Sequence, residues 1–375
     1  MKKKNLLALG MAGAVLTSAV LVPVMMHSSA DEETPYVPTI TTNISEGAQI
    51  DLLEGDILEF ATNYVKKSSV NYIDKTDKFA PVDVTLDWEA NEGVLYYTLS
   101  IATDKAFTNP IRFVTNESAI TLDRLFANKH YYYQIDAKYE DQTIRSRIFD
   151  FYTTDAPRTI AIDGVSNTRD VGGMLTSDGK QIRQGMVYRT AYFDEITALG
   201  KTQAREKYHI KTDLDLRNSG EGATGTSKLG EDVLYYLRSF PYYLGDSGID
   251  NANNWTKIAE AMRIFADEDN YPIAFHCSLG RDRTGTMALL LQGLLGAEKK
   301  DILRDYETSA FSVRGTYDGG SYDYLVGQVE KTINYINSNG KATFAENCAA
   351  FLIKTGMTQA EIDSIREIML EEVSL

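Results

Sequence analysis

Two hydrophobic rhythms divide the chain. From about Ile44 to Thr154, apolar and polar positions alternate: Val82-Asp-Val-Thr-Leu-Asp-Trp88, Tyr96-Tyr-Thr-Leu-Ser-Ile101 and Tyr131-Tyr-Tyr-Gln-Ile-Asp-Ala137, with Ile148 to Tyr152 closing the set. A period of two is that of strands with one buried face. Several short strands separated by turn signals predict an all-β sandwich over residues 44–155. Residues 44–79 follow the pattern poorly, and add strands or form a separate cap. Beyond Asp155-Ala-Pro157 the rhythm changes. Strand-like runs at Ile210–Leu216 and Val233–Leu237 are interspersed with helical spacing at Ala259–Ala266, Val326–Ile336 and Lys341–Lys354. Thr358-x-x-Glu361 is a capping box before Ile362, Ile365, Ile368 and Met369. The pattern predicts an α/β domain over residues 156–375, a central sheet flanked by helices. There is no internal repeat and no low-complexity tract.

The first thirty residues stand apart. Three lysines, a long apolar run and Ser28-Ser-Ala30 before an acidic stretch predict a signal peptide over residues 1–30, cleaved after Ala30, and so a secreted or extracytoplasmic protein. An uncleaved anchor is the alternative, because Leu6 to Met26 is long for a signal. No cysteine lies nearby to carry a lipid, and no later stretch is apolar enough to span a bilayer. Residues 31–43 read as a polar linker with Pro35 and Pro38. The 375-residue chain has a net charge of −15; loss of residues 1–30 leaves 35 basic against 53 acidic side chains, or −18. Such a surface does not suit nucleic acid or anionic membranes as general partners. It makes any local basic cluster more informative.

Such a cluster lies in Tyr271–Gly296, which reads as strand, loop and helix. Pro272 to His276 is a short apolar run; Met287, Leu290, Leu291, Leu294 and Leu295 give a helix with one apolar face. Between them, Cys277 and Arg283 enclose Ser278, Leu279, Gly280, Arg281 and Asp282. A loop of this length can wrap its backbone N–H groups around one tetrahedral anion, at the positive end of the following helix. Gly280 permits the turn, and Arg283 offers a planar fork for two phosphate oxygens. The same field favours a thiolate at Cys277, a nucleophile able to attack phosphorus. Thr284 can donate its hydroxyl to that sulfur. The second cysteine, Cys348, sits in a helical pattern and reads as a small core residue; a reversible Cys277–Cys348 bridge is a further possibility.

His276-Cys277-x5-Arg283-Thr284-Gly285 resembles the signature of the cysteine-dependent protein tyrosine phosphatases, in the form of the bacterial secreted tyrosine and phosphoinositide phosphatases. Asn167-Thr-Arg-Asp-Val-Gly-Gly173 resembles the same branch, as do Val187-Tyr-Arg189-Thr190 and Asp213-Leu-Asp215-Leu-Arg217 more weakly. Phosphoinositide-active relatives usually carry Lys where this chain has Arg281, so lipid activity is the less secure expectation. Trp88, with Leu125 six residues before Tyr131, resembles a fibronectin type III module.

Transfer through cysteine needs an acid for the leaving oxygen and then a base for water. The resemblance implies Asp282 within the loop. Asp246, on a loop after the preceding strand, and Asp215 are the other candidates, although pairing of Asp215 with Arg217 or Arg169 is the plainer expectation. Asn167, Arg169 and Asp170 are expected to brace the site, and His276 to support the loop backbone. Arg189 and Arg217 either extend the basic cluster or form ion pairs; Arg281 is expected to select substrate charge. Asp305-Tyr-Glu307, with Ser312 and Arg314, reads as a possible lid. No His, Cys and carboxylate set has metal-ligand spacing, so neither metal nor cofactor is expected. The expected function is a secreted phosphatase working through phosphocysteine, on phosphotyrosine in protein or peptide first and phosphoinositides or inositol phosphates next. The rival is an adhesion or binding protein whose phosphatase part is vestigial.

Overall fold

The computed structural model describes residues 40–64, 80–155, 157–313 and 323–373. The stretch read as a signal peptide, most of that read as a linker, and Arg314 lie outside them. The chain divides into two compact units.

The first unit holds residues 40–52 and 82–154. Its strands are β1 (Ala48–Ile50), β2 (Val84–Asp87), β3 (Tyr96–Ala102), β4 (Ile111–Thr115), β5 (Ala119–Leu122), β6 (His130–Lys138), β7 (Thr143–Arg145) and β8 (Phe149–Thr153). One sheet runs β1-β8-β6-β3-β4, with β7 beside β6, and β2 pairs with β5 in a second. Alternation along β6 is complete: Tyr131, Tyr133, Ile135 and Ala137 are buried and the residues between them are not. Those side chains share a core with Leu86, Trp88, Leu99 and Phe151. The end of the stretch read as linker belongs to the first unit. Ile40 is buried in this core, and Thr42 bridges Trp88.

Residues 53–64 leave the expected β-module. They form helix α1 (Gly55–Thr62), whose Ile57, Phe60 and Ala61 pack with Leu53 and Phe311 in the second unit. The poor strand rhythm of this stretch has its cause here: its apolar residues fall at helical spacing.

The second unit is built on a five-stranded sheet ordered β13-β12-β14-β11-β9. These are β9 (Arg169–Asp170), β11 (Val187–Thr190), β12 (Thr212–Asp215), β13 (Leu234–Leu237) and β14 (Ile273–His276). All are parallel except β9, which runs antiparallel to β11. A separate ribbon pairs β10 (Lys180–Ile182) with β15 (Leu370–Glu372). The helices are α2 (Ala198–Thr202), α3 (Trp255–Met262), α4 (Asp282–Leu294), α5 (Lys299–Thr308), α6 (Asp323–Asn337), α7 (Phe344–Thr355) and α8 (Gln359–Met369). Thr343 and Thr358 each close a capping box with a glutamate three residues on. Ile273 and Phe275 of β14 enter the larger core with the helices, while Ala274 faces a smaller one with Tyr188, Tyr208 and Ile210.

Helix α4 differs from expectation. Thr284 through Leu294 are buried on every side rather than along one stripe. Glycines make this possible. A Cβ on Gly285 would meet the Tyr306 ring of α5 at 2.8 Å, and one on Gly293 the Cys348 sulfur of α7 at 2.7 Å. Neighbouring helices therefore close around α4. No described helix is long and apolar enough to cross a membrane.

Candidate active site

Four parallel strands end on one side of the sheet, and the loop from Cys277 to Arg283 lies there between β14 and α4. Its curvature is visible in its carbonyls. The Cys277 oxygen lies 3.2 Å from His276 Nδ1. That of Ser278 accepts from the Tyr192 N–H at 3.4 Å. Leu279 O accepts from Asn167 Nδ2 at 2.9 Å, and Gly280 O from Arg189 Nη2 at 3.0 Å. Four consecutive carbonyls thus have partners outside the loop. In a planar trans peptide the N–H points opposite to the C=O. The amides of residues 278–281 consequently turn toward the hollow that the loop encloses. Gly280 has φ +69°, and a Cβ there would strike Thr190 O at 2.5 Å, so both the turn and the close approach need glycine.

Cys277 is buried and its thiol is free. Burial pushes its pKa up, but the Thr284 hydroxyl and N–H and the Arg283 charge prevail over burial and Asp282, and hold it below an ordinary thiol. The Thr284 hydroxyl is buried without a conventional partner among the described residues, which leaves the sulfur anion as the acceptor it can serve. Arg283 is kept in place by Glu221, Nη2 to Oε2 2.7 Å, and Glu221 is itself held by Asn218 at 2.5 Å.

Strand periodicity places His276, Asp213 and Asp215 on one face. His276 Nε2 meets Asp213 Oδ1 at 3.0 Å. Burial works against the imidazolium, yet Asp213 and Asp215 raise the His276 pKa overall. Asp215 is engaged elsewhere. Arg217 Nε and Nη2 grip it at 2.8–3.1 Å, and Tyr235 donates at 3.0 Å. Burial pushes its carboxyl up, but the Arg217 bonds and the His276 charge leave it below the usual range. A buried carboxylate so bound is a structural counter-ion, not a proton donor.

Asp282 opens α4. Tyr243 donates to its Oδ1 at 2.6 Å, and Arg281 reaches both oxygens at 3.2 and 3.1 Å. Tyr243 also bonds Tyr306. Asp246 is exposed, and no bond from its carboxylate to the loop exists among the described residues; its backbone oxygen accepts from Asn251 and Asn254. Tyr243, three residues earlier, reaches the site through its hydroxyl.

Asn167 and Arg169 lie behind the loop, joined at 2.5 Å. Asp170 points elsewhere, to Arg158 at 2.8 Å and the N–H groups of Gly172 and Gly185. Arg189 is wholly buried and pairs with Asp305, as does Arg169. This corrects the lid reading: Asp305, Tyr306 and Glu307 are buried in α5. Glu221 and Tyr243 were not singled out from sequence, while Asp305 was named only within the lid stretch and Asp213 only within a motif. For Asp213 the alternation with Asp215 and His276 held the signal; the others belong to distant segments.

A parallel α/β sheet with a cysteine-to-arginine anion loop at its strand ends defines a class of phosphate-binding proteins. The match to the Tyrosine phosphatase family spans residues 160–371, more than half of the chain, which therefore belongs to that family. A tyrosine-protein phosphatase of Nostoc commune is 28% identical over 42% of this chain and 51% of its own length. A presumed tyrosine-protein phosphatase of Cupriavidus necator is 25% identical over 39% of this chain and 61% of its own. The chain thus spans only about half to three fifths of these relatives. Among solved structures, the core catalytic domain of the PP-IP phosphatase SIW14 from S. cerevisiae matches 41% of this chain and 87% of that one, at 18% identity and a TM-score of 0.29, too slight to carry an argument.

Proposed function

We propose that the protein hydrolyses phosphomonoesters through a phosphocysteine on Cys277, with phosphotyrosine on protein or peptide as its preferred substrate. The observation that carries this is the outward anchoring of four successive loop carbonyls around a depressed thiol and Arg283. Amides 278–281 and the Arg283 fork bind the phosphoryl oxygens. The sulfur attacks phosphorus, the ester oxygen leaves, and Asp282 supplies the proton that oxygen takes. In the second step Asp282 takes a proton from water as the water oxygen displaces sulfur, releasing inorganic phosphate and restoring the thiolate. Tyr243 and Arg281 fix the position of that carboxyl. Phosphoinositides and inositol phosphates come second, because Arg281, the side chain expected to read extra charge, is already engaged by Asp282.

Secretion, with cleavage after Ala30, is proposed from the leader; N-terminal sequencing of exported protein tests it. A fibronectin type III-like β-unit is proposed from buried Trp88 and from Tyr131, whose hydroxyl accepts the Phe126 N–H at 2.8 Å, a tyrosine-corner contact. The deciding experiment is hydrolysis of p-nitrophenyl phosphate in chelator, followed by a panel of phosphopeptides, phosphoinositides and inositol phosphates. Turnover in the wild type that is lost in Cys277→Ser supports the enzyme. No turnover in the wild type returns the reading to an adhesion or binding protein.

A further inference from the structure

The phosphate loop is held from behind by a carboxylate on another helix. Asp305 of α5 is about 1% exposed, and both its oxygens are occupied. Oδ1 accepts from Arg169 Nε at 2.7 Å, and Oδ2 accepts from Arg189 Nη1. Each arginine then turns a second nitrogen toward the loop. Arg189 Nη2 holds Gly280 O at 3.0 Å. Arg169 Nη1 donates to Asn167 Oδ1 at 2.5 Å. An amide whose oxygen is committed in this way must present its NH2 on the other side, and Asn167 Nδ2 indeed meets Leu279 O at 2.9 Å. Arg169 is further fixed to α5 by the Asp305 carbonyl at 2.7 Å and the Ser309 hydroxyl at 3.0 Å. Gly285 completes the arrangement from the α4 side, since any Cβ there would force Tyr306, and with it α5, away.

We propose that Asp305 is a positioning residue: through Arg189 and the Arg169–Asn167 pair it holds the carbonyls of Gly280 and Leu279 outward, and so turns the next two amides toward substrate phosphate. The proposal rests on the phosphatase reading but is measured apart from it. Two guanidinium groups buried behind the loop need a counter-ion. One carboxylate between them neutralises charge and also sets the angle of each fork. Burial alone would push the Asp305 carboxyl up; the two arginines overcome this and keep it ionised.

The test separates geometry from charge. Asp305→Asn removes a negative charge near the loop. With the loop unmoved, Coulomb's law requires the Cys277 pKa to fall and oxyanion binding to tighten. The positioning role predicts the opposite sign. Arg189→Lys keeps the charge but cannot bond Asp305 and Gly280 O together in a planar fork. Thermal melts establish that each variant is folded. The pH dependence of iodoacetamide alkylation then reports the Cys277 pKa, and calorimetry reports tungstate binding. The expected result in both variants is a raised Cys277 pKa and tungstate affinity weakened by about tenfold or more. A lowered or unchanged pKa with equal or tighter tungstate binding overturns the proposal. If Asp305→Asn does not fold, Arg189→Lys decides alone, and wild-type values there overturn it. A wild type that binds tungstate through a low-pKa Cys277 yet hydrolyses no p-nitrophenyl phosphate refutes the phosphatase reading and leaves this measurement intact.

Discussion

The two cysteines share burial and differ in everything that decides reactivity. Cys277 has Thr284 and Arg283 to offset the loss of water, whereas Cys348 sits against Gly293 in the helical core, where burial pushes its thiol well up. Iodoacetamide at about pH 7 is therefore expected to modify Cys277 and spare Cys348, read by peptide mass spectrometry. Carboxyls divide similarly. Asp215 is engaged by Arg217, Asp246 stays in solvent, and Asp282 accepts from the Tyr243 hydroxyl and the Arg281 guanidinium. Asp282→Asn should flatten the acidic limb of the pH–rate profile and lower kcat roughly 10²-fold or more, the usual size of an acid–base contribution. Near wild-type turnover would remove Asp282 from the role. Cys277, Arg283 and Asp282 could be proposed together from sequence because one loop carries all three. Asp305 could not, because nothing local distinguishes a buried counter-ion from an exposed helical carboxylate.

Among the elements, α4 and α5 matter most. Their contact at Gly285 admits no side chain, since a Cβ would lie 2.8 Å from a buried ring. Gly285→Ala should cost about 1–3 kcal/mol by overpacking, and should lower kcat as α5 retreats from the loop; denaturant unfolding and turnover measured together check this. Helix α1 illustrates a different principle. It lies between β1 and β2 in sequence, yet Phe60 packs on Phe311 with ring centroids 5.2 Å apart, and Tyr64 donates to Glu307 of α5 at 2.5 Å. Truncation by Phe60→Ala is expected to cost about 3–5 kcal/mol. That loss should appear in the unfolding of the α/β unit, which a probe within that unit can resolve.

Over the molecule, charge and pH connect the site to stability. A net charge of −15 surrounds a loop whose buried face is cationic, so phosphate is attracted locally against the general field. His276 binds its proton more tightly when folded, with Asp213 and Asp215 beside it. The sign follows: its contribution to stability is fully present below about pH 6.5, the unfolded pKa, and is lost as pH rises through the raised folded value. The thermal midpoint should decline as pH rises through that window, and the decline should shrink in Asp213→Asn. An equal decline in both proteins would assign it to other groups.

Local order was written in the chain. Period-two alternation marked β2, β3, β6 and β8, the capping box at Thr358 marked α8, and Cys-x5-Arg marked the anion loop, because each is a property of neighbouring residues. Packing decided what neighbours cannot specify. It assigned α1 to the second unit, buried α4 on all sides, and brought Asp305 to two arginines more than a hundred residues away. A carboxylate's role follows from which charges surround it and how little water reaches it. Those quantities exist only once distant segments have closed around it.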